Sequence, residues 1–433
     1  MLPNTVRGAL RPRFGQFTLG RNQVRPDVRR LRVHSGLESS HGTGEPAIDA
    51  AAAYGLQPVW LRDNCQCDLC RDAVSGQRLI DITDLAPDVT VTRAVESVDG
   101  LHVTFGPDGH QAVFTKSWLS GQTLAEPDTR SEDAKRLWSA RDFPAGPPQT
   151  SWHSYIASDA VRLRCLRGLL STGFMLLTGV PQQPEAVLDV AASFGYVRET
   201  NYGRVFDVRV EATPANLANT GLPIGPHTDN PYRDPAPTIQ LLHCLTNAAS
   251  GGESGLLDGF RAAAQLRAED PAAFECLTRT AVTFAHADAT ADLRATKPMI
   301  EVNPSGLIRS VRYNSRSMQP MRPRPGATPA AAAEELRDFY HAYRTFAAIM
   351  LRPYLTLRFD LAPGQCVVFD NTRVLHSRAG FAATGERHLQ GCYADLDGAE
   401  STVAVLARSC TRHAAREAAA DPDPGEHRLT AAG

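Results

Sequence analysis

No sign of charge dominates this chain. Its 45 Lys and Arg stand against 47 Asp and Glu, a formal net charge of −2 over 433 residues. Binding nucleic acid through a broad basic field needs a clustered cationic excess to displace counterions from phosphates, so nucleic acid is excluded as a partner. Long apolar runs are lacking too. The longest, such as 173–180 and 366–369, fall far short of the ~20 residues that cross a bilayer, so no membrane partner is expected. Cysteine is scarce: nine residues, an odd number, with three crowded into six positions, which excludes a disulfide scaffold. The nucleophile elbow of a serine hydrolase is also missing, because GGESG at 251–255 lacks the G-x-S-x-G spacing. There is no internal repeat. What remains is 42% hydrophobic and 21% charged residues, enough for a substantial core, and a length that suggests two or three domains.

Both ends look unlike folded protein. Residues 1–32 hold eight Arg against the single acid Asp27, with Pro3, Pro12 and Pro26 interspersed and no Ser. A mitochondrial transit peptide is Arg-rich and acid-poor, but three prolines break an amphipathic helix. A solvated arm, or a start placed too far upstream, accounts better for the segment. No charged n-region leads into an apolar h-region, so a cytoplasmic location is expected. The tail from about residue 412 is Ala-rich and ends in DPDPGEH, too poor in apolar surface to order itself.

Between the ends the pattern changes twice. From residue 58 to about 120 the chain reads as short strands and turns, with β-branched and aromatic runs at 89–95 and 101–105, each closed by a Gly-containing turn. Residues 121–150 are polar and Pro-rich, as a linker would be. Thereafter helices and strands mix. Ser158 or Asp159 can cap a helix to about Leu170, 174–180 is a strand, and 185–194 is another helix. Thr328 and Pro329 have the chemistry of an N-cap and first turn for a long helix to about Leu351. Strand-like runs fall at 239–244, 307–313, 365–369, 374–376 and 389–393. The pattern predicts an α+β domain built on a β-sandwich. The expected organisation is an arm at 1–54, a small domain at 55–120, a linker at 121–150, the main domain at 151–408 and a tail at 409–433.

Two constellations carry chemistry. Cys65-x-Cys67-x-x-Cys70 puts three thiolates on one loop, and a fourth ligand would close a tetrahedral zinc site. His102 and His110 lie downstream. His102 sits in a strand-like run that fixes its direction, whereas His110 sits in a PDGH turn and can point freely, so His110 is favoured. A site saturated by four protein ligands is structural. The second constellation is His227-x-Asp229 with a distant His376. Two neutral imidazoles and a carboxylate on one face of Fe(II) leave positions open for a co-substrate and O2. On a strand, positions i and i+2 face one way, so His227 and Asp229 can both point inward. The pair alone is a weak signal, since His286-x-Asp288 repeats it by chance. Context strengthens it: GPHTDNPYRDP leads into an apolar run, VVFDNTRVLH offers His376 after a strand and turn, and Arg387 follows with a guanidinium able to hold a carboxylate bidentately.

These residues resemble the γ-butyrobetaine hydroxylase branch of the TauD/TfdA-like Fe(II)/2-oxoglutarate dioxygenases. The similarity runs in order from about 57 to 408. It is carried by VWLRDNCQCDLC, GPDGH, ANLANTGLPIGPHTDNPYRDPAPTIQLLHC, GGESGLLDGF, VVFDNTRVLHSRAGF and GERHLQGCYADLD. The resemblance implies a double-stranded β-helix (jelly roll) catalytic domain behind a small β-rich zinc domain, commonly in a homodimer. It implies iron on His227, Asp229 and His376, zinc on Cys65, Cys67, Cys70 and His110, and Arg387 on the distal carboxylate of 2-oxoglutarate. The implied reaction hydroxylates an aliphatic carbon and releases succinate and CO2, with ascorbate supporting it in vitro. The family's trimethylammonium cage maps to Tyr202, Phe206 and Tyr393, each ring adding roughly 0.5–2 kcal/mol. A fourth cage position, aromatic in the family, is Asn219 here. Asn216 and Asn314 match pocket positions that could meet the polar end of the substrate. HTDNPYRDP is similar to a bacterial sub-branch acting on 2-trimethylaminoethylphosphonate, for which Arg204, Arg233, Arg312 and Arg316 are candidate extra cations. Two other readings remain: a zinc hydrolase using His227 and Asp229, and a non-catalytic zinc-binding interaction protein with a degenerate jelly roll.

Overall fold

The structure is a computed structural model that describes residues 56–122, 135–210, 219–248, 251–381 and 386–420, with the backbone alone for 412–420. The expected arm, residues 1–54, and Asn216 therefore lie outside the described residues. The chain divides into two units, 1–126 and 127–433.

In the first unit three strands, β1 (Thr90–Glu96), β2 (Gly100–Gly106) and β3 (Gln111–Thr115), form one antiparallel meander. Alternation turns Leu101, Val103 and Phe105 of β2 and Ala112 and Phe114 of β3 into a common core. That core also takes Leu61 from a short helix, Pro58–Asp63, and Leu119 from another, Lys116–Gly121. Neither helix is legible as a pattern, because six residues do not complete two turns of an amphipathic period.

The second unit holds two larger sheets. Its strands are β4 (Gln149–Ser151), β5 (Phe174–Thr178), β6 (Phe206–Arg209), β7 (Ile224–His227), β8 (Ile239–Asn247), β9 (Ser254–Asp258), the outlying pairs β10 (Ala281–Ala287) with β11 (Asp292–Pro298) and β12 (Ile300–Val302) with β13 (Ile308–Val311), then β14 (Thr356–Phe359), β15 (Cys366–Asp370), β16 (Val374–Arg378) and β17 (Arg387–Ala394). Six form a sheet in the order β4-β5-β15-β8-β17-β6, and four form another, β14-β9-β16-β7. Only β4 and β5 pair in parallel within these two sheets. Successive side chains leave a strand on opposite faces, and the burial follows. Phe174, Leu176, Val367 and Phe369 of the larger sheet meet Leu256, Leu357 and Val374 of the smaller in one cluster between them. Met175, Leu177, Cys366 and Val368 point the other way, under helices Asp159–Thr172, Ala186–Ala192 and Leu396–Ala420. The outer face of the smaller sheet, through Leu257 and Leu375, joins a cluster with helices Gly259–Glu269, Pro271–Arg279 and Pro329–Met350.

Several expected elements lie where predicted. Ser158 caps Asp159–Thr172 through the Val161 amide, and Thr328 caps Pro329–Met350 through the Ala331 amide. Two expectations need correcting. Residues 135–151 are not linker: Trp138 is buried at 1% exposure in the inter-sheet cluster and β4 pairs with β5. A lone aromatic among polar residues carries no period, so the pattern hides it. The tail is also helical beyond residue 408, since the last helix runs Leu396–Ala420, anchored by buried Ala399 and Leu406 and continued by Ala-rich sequence of high helix propensity. Residues 421–433 lie outside the described residues. No helix among the described residues is long and apolar enough to cross a membrane.

Candidate metal centres and ligand cavity

In the first unit, helix Pro58–Asp63 ends in a loop that turns at Cys67, whose carbonyl accepts from the amides of Cys70 and Arg71. The β2–β3 hairpin tip carries His110 after Gly109, whose φ of +70° is the left-handed conformation glycine adopts without strain. His110 Nε2 lies 3.2 Å from Cys65 Sγ and 3.6 Å from both Cys67 Sγ and Cys70 Sγ. A tetrahedron with bonds of about 2.3 Å to sulfur and about 2.0 Å to nitrogen has S···N edges of about 3.5 Å, so the cluster fits a zinc-sized ion. Burial pushes the Cys65 thiol up to about 12. Burial, together with the Arg62 charge, holds His110 below its usual value, which keeps the imidazole neutral and able to coordinate. Arg62 donates to Cys70 Sγ and to Asp108, and Asp108 accepts the His110 amide, so the ligand loop and hairpin tip are tied together. His102 lies 3.1 Å from Asp99 on the surface and takes no part, as its strand position predicts.

In the second unit, β7 and β16 pair so that His227 and His376 are direct cross-strand neighbours, their rings 4.0 Å apart. Asp229 Oδ1 reaches within 3.4 Å of His227 Nε2, and ligand atoms of all three residues lie within 4.8 Å of one another. The pleat does not place Asp229, because β7 stops at His227. Asn371 does so instead: its Oδ1 accepts the Asp229 amide at 2.7 Å and its Nδ2 donates to the Asp229 carbonyl at 2.9 Å. The Gly225 carbonyl lies 2.9 Å from His227 Nδ1, which leaves Nε2 toward the cluster. Burial and the neighbouring His227 push the His376 imidazole down to about 3, so it stays neutral. Burial pushes the Asp229 carboxyl up, but its hydrogen bond to His227 and the nearby imidazoles outweigh that and hold it below the carboxylate range. Two imidazole nitrogens and a carboxylate oxygen brought to one point suit a divalent ion such as Fe(II).

The three residues face a cavity of about 590 Å³, within the range of small-ligand sites. Arg387 lines it, buried at 5% exposure, its guanidinium 5.3 Å from the Phe381 ring. Among the described residues no carboxylate forms an ion pair with it. A buried guanidinium so placed calls for an anion. The neighbouring Arg378 donates to the Thr220 and Leu222 carbonyls.

Aromatic rings line another part of the cavity. Tyr393 and Phe206 stack at 5.1 Å, and Phe206 and Tyr202 lie 6.3 Å apart. Sequence reasoning did not single out two further walls, Tyr232 and His286. Their rings stack at 5.0 Å, and the Tyr202 and Tyr232 hydroxyls hydrogen-bond at 2.7 Å. Tyr232 lies three residues beyond Asp229 in the motif itself, a signal that was available. His286 had none, since its placement depends on the β10 pairing. The His286-x-Asp288 pair is thus no ligand set, but one member is a cavity wall. Asn219 lines the cavity. Asn314 does too, but its Nδ2 donates to the Thr228 carbonyl and its Oδ1 accepts the Arg316 amide, so its amide group is committed to backbone. Of the four candidate arginines, Arg316 lines the cavity. Arg204 is exposed, Arg233 donates to Asn201, and Arg312 donates to the Pro231 and Arg233 carbonyls.

Comparisons with known proteins bear on both units. Residues 121–393 match the family described as taurine catabolism dioxygenase TauD, TfdA, and residues 48–120 match the gamma-butyrobetaine hydroxylase-like N-terminal family. The chain is 35% identical over 356 residues to gamma-butyrobetaine dioxygenase of Pseudomonas sp. (strain AK-1), covering 81% of this chain and 90% of that one. It is 28% identical over 376 residues to trimethyllysine dioxygenase of Meyerozyma guilliermondii, covering 83% and 92%. To gamma-butyrobetaine dioxygenase of Homo sapiens it is 28% identical over 360 residues, covering 80% and 90%.

Proposed function

Because the chain belongs to the TauD/TfdA dioxygenase family and carries a gamma-butyrobetaine hydroxylase-like N-terminal domain, it is a dioxygenase, and we propose that it hydroxylates an aliphatic carbon of a small trimethylammonium zwitterion. The substrate is of the γ-butyrobetaine or 2-trimethylaminoethylphosphonate type, and 2-oxoglutarate is the co-substrate. One oxygen atom of O2 enters the substrate as a hydroxyl, the other enters succinate, and the remaining carbon leaves as CO2. The observation that carries this reading is that the His227–Asp229–His376 cluster, the buried Arg387 and the aromatic wall all line one cavity.

Each part has a physical role. His227, Asp229 and His376 would hold Fe(II), which with 2-oxoglutarate supplies the oxidation of an unactivated C–H bond. Arg387 holds the distal carboxylate of 2-oxoglutarate with charge-assisted hydrogen bonds. Tyr202, Phe206 and Tyr393, joined by Tyr232, face the cation with their negative ring faces, and methyl groups lose little hydration there. Fixing the cation against that wall sets which carbon faces the metal, and a displacement of an ångström changes the carbon oxidised. Cys65, Cys67, Cys70 and His110 would hold zinc in the first unit as a structural ion, with no open position. The two sheets of the second unit we read as a double-stranded β-helix. The two relatives named gamma-butyrobetaine dioxygenase and the one named trimethyllysine dioxygenase support the substrate class.

The test is succinate formation by purified protein supplied with Fe(II), ascorbate and 2-oxoglutarate, against a panel of trimethylammonium acids with carboxylate or phosphonate ends. At least one should stimulate succinate release at least about 10-fold over the substrate-free rate, and Asp229→Ala should abolish it. Equal activity on analogues whose trimethylammonium head is replaced by an uncharged group would remove the cation-pocket reading.

A further inference from the structure

Asp229 turns one oxygen toward the two imidazoles, and its other oxygen is already taken. Oδ2 accepts hydrogen bonds from Gln240 Nε2 at 2.8 Å and from the Tyr393 hydroxyl at 3.0 Å. Gln240 on β8 and Tyr393 on β17 are direct cross-strand partners, so the register of the larger sheet delivers both donors to one atom. Both are buried, at 1% and 3% exposure, so neither donor is readily exchanged for water. With Asn371 gripping its backbone on both sides, Asp229 is held at its amide, its carbonyl and Oδ2, while Oδ1 is the oxygen turned toward His227. The Tyr393 ring meanwhile stacks on Phe206 in the aromatic wall, at an interplanar angle of 29°.

We propose that Gln240 and Tyr393 are positioning residues that fix Asp229 to bind its metal through Oδ1 alone, and that Tyr393 joins the metal ligand to the cation wall in a single side chain. The second half rests on the reading of the cavity given above. Donors to the free oxygen of a ligating carboxylate set its rotation and its charge, and losing such partners typically weakens metal binding about 10- to 100-fold. A hydrogen bond to an ionised oxygen is also stronger than one between neutral groups, so the loss is not made good by packing.

The two roles of Tyr393 separate cleanly, because Phe keeps the ring and removes only the hydroxyl. The experiment uses the full chain and three variants, Tyr393→Phe, Gln240→Leu and Phe206→Leu, with Asp229→Ala as blank. Mn2+ binding is read by paramagnetic resonance of the free ion. Binding of γ-butyrobetaine and of 2-trimethylaminoethylphosphonate is read by calorimetry without O2, at saturating Mn2+ and 2-oxoglutarate. Tyr393→Phe and Gln240→Leu should each weaken Mn2+ by about 10-fold or more and leave cation binding within about twofold. Phe206→Leu should do the reverse, weakening the cation by roughly 2- to 30-fold. Unchanged Mn2+ affinity in both Tyr393→Phe and Gln240→Leu overturns the proposal. So does a loss of Mn2+ affinity in Phe206→Leu as large as theirs, which would mean general loosening. If the unaltered protein binds neither cation, the cation wall is wrong, while the Mn2+ measurements still decide how Asp229 is held.

Discussion

Arg373 lies fully buried between helix and sheet, and its charge is met by Asp258, also fully buried, at 3.0 Å. The guanidinium further donates to the Ser171 and Arg136 carbonyls, while Asp258 accepts the amides of Trp138 and Phe260. One ion pair thus joins the chain before β4, the helix ahead of β5, the end of β9 and the start of β16, the strand that carries His376. Removing one partner of a buried pair strands the other charge, at a cost of about 3–5 kcal/mol. Arg373→Met should therefore destabilise the protein by about that amount in denaturant unfolding; a loss under about 1 kcal/mol would show that solvent reaches Asp258. At this scale the sequence was uneven. His227, Asp229, His376 and Arg387 were legible only through their surrounding motifs and the family resemblance those motifs carry, since the His-x-Asp pair by itself recurs at His286 and Asp288. Asn371 was not, although it lies within the quoted VVFDNTRVLH, because an Asn that clamps a ligand's backbone leaves no spacing rule behind. Arg373, three residues before His376, gave no hint that it was an interior ion pair.

Among the elements, β17 does the most for the cavity. Its first residue is Arg387, Tyr393 lies near its end, and Gly391 between them faces Phe206 of β6 in register. A Cβ at 391 would meet the tip of the Phe206 ring and come within 3.0 Å of the Leu241 carbonyl. The glycine is what lets the ring lie close against the sheet as part of the aromatic wall. Gly391→Ala should push that ring off its seat. The expected result is a rise of roughly 2- to 30-fold in KM for the trimethylammonium substrate, with KM for 2-oxoglutarate unchanged because Arg387 is undisturbed. An unchanged substrate KM would show that Phe206 is not part of the wall. Strands that are short apolar runs bounded by turns, such as β8 and β15, and helices with capped starts, such as Pro329–Met350, could be read from sequence. Helices Gly259–Glu269 and Pro271–Arg279 lie outside the sequence expectations, although Asp270 and Pro271 carry the same N-cap and first-turn chemistry as Thr328 and Pro329. Tertiary packing against Leu257 and Leu375 completes them.

As a whole the molecule has two units, each with its own core and its own cluster of metal-binding side chains. The division was visible in the change from β-rich to mixed pattern near residue 120, but the second unit begins well before the expected 151. Residues such as Trp138 belong to the second core and carry no periodic mark. The chemistry assigned to the two clusters differs in kind. The first gathers four side chains that could close around one ion, and the second faces an open cavity lined by the buried Arg387 and an aromatic wall. A hydrolase built on His227 and Asp229 would take its oxygen from water and would need neither O2 nor 2-oxoglutarate. Turnover under 18O-labelled O2, with succinate and product analysed by mass spectrometry, separates these cases directly. One labelled atom in succinate and one in the new hydroxyl, formed in equal amounts and only when trimethylammonium substrate is present, is the predicted result. Product whose added oxygen comes from water, formed equally well without O2, would contradict the assignment.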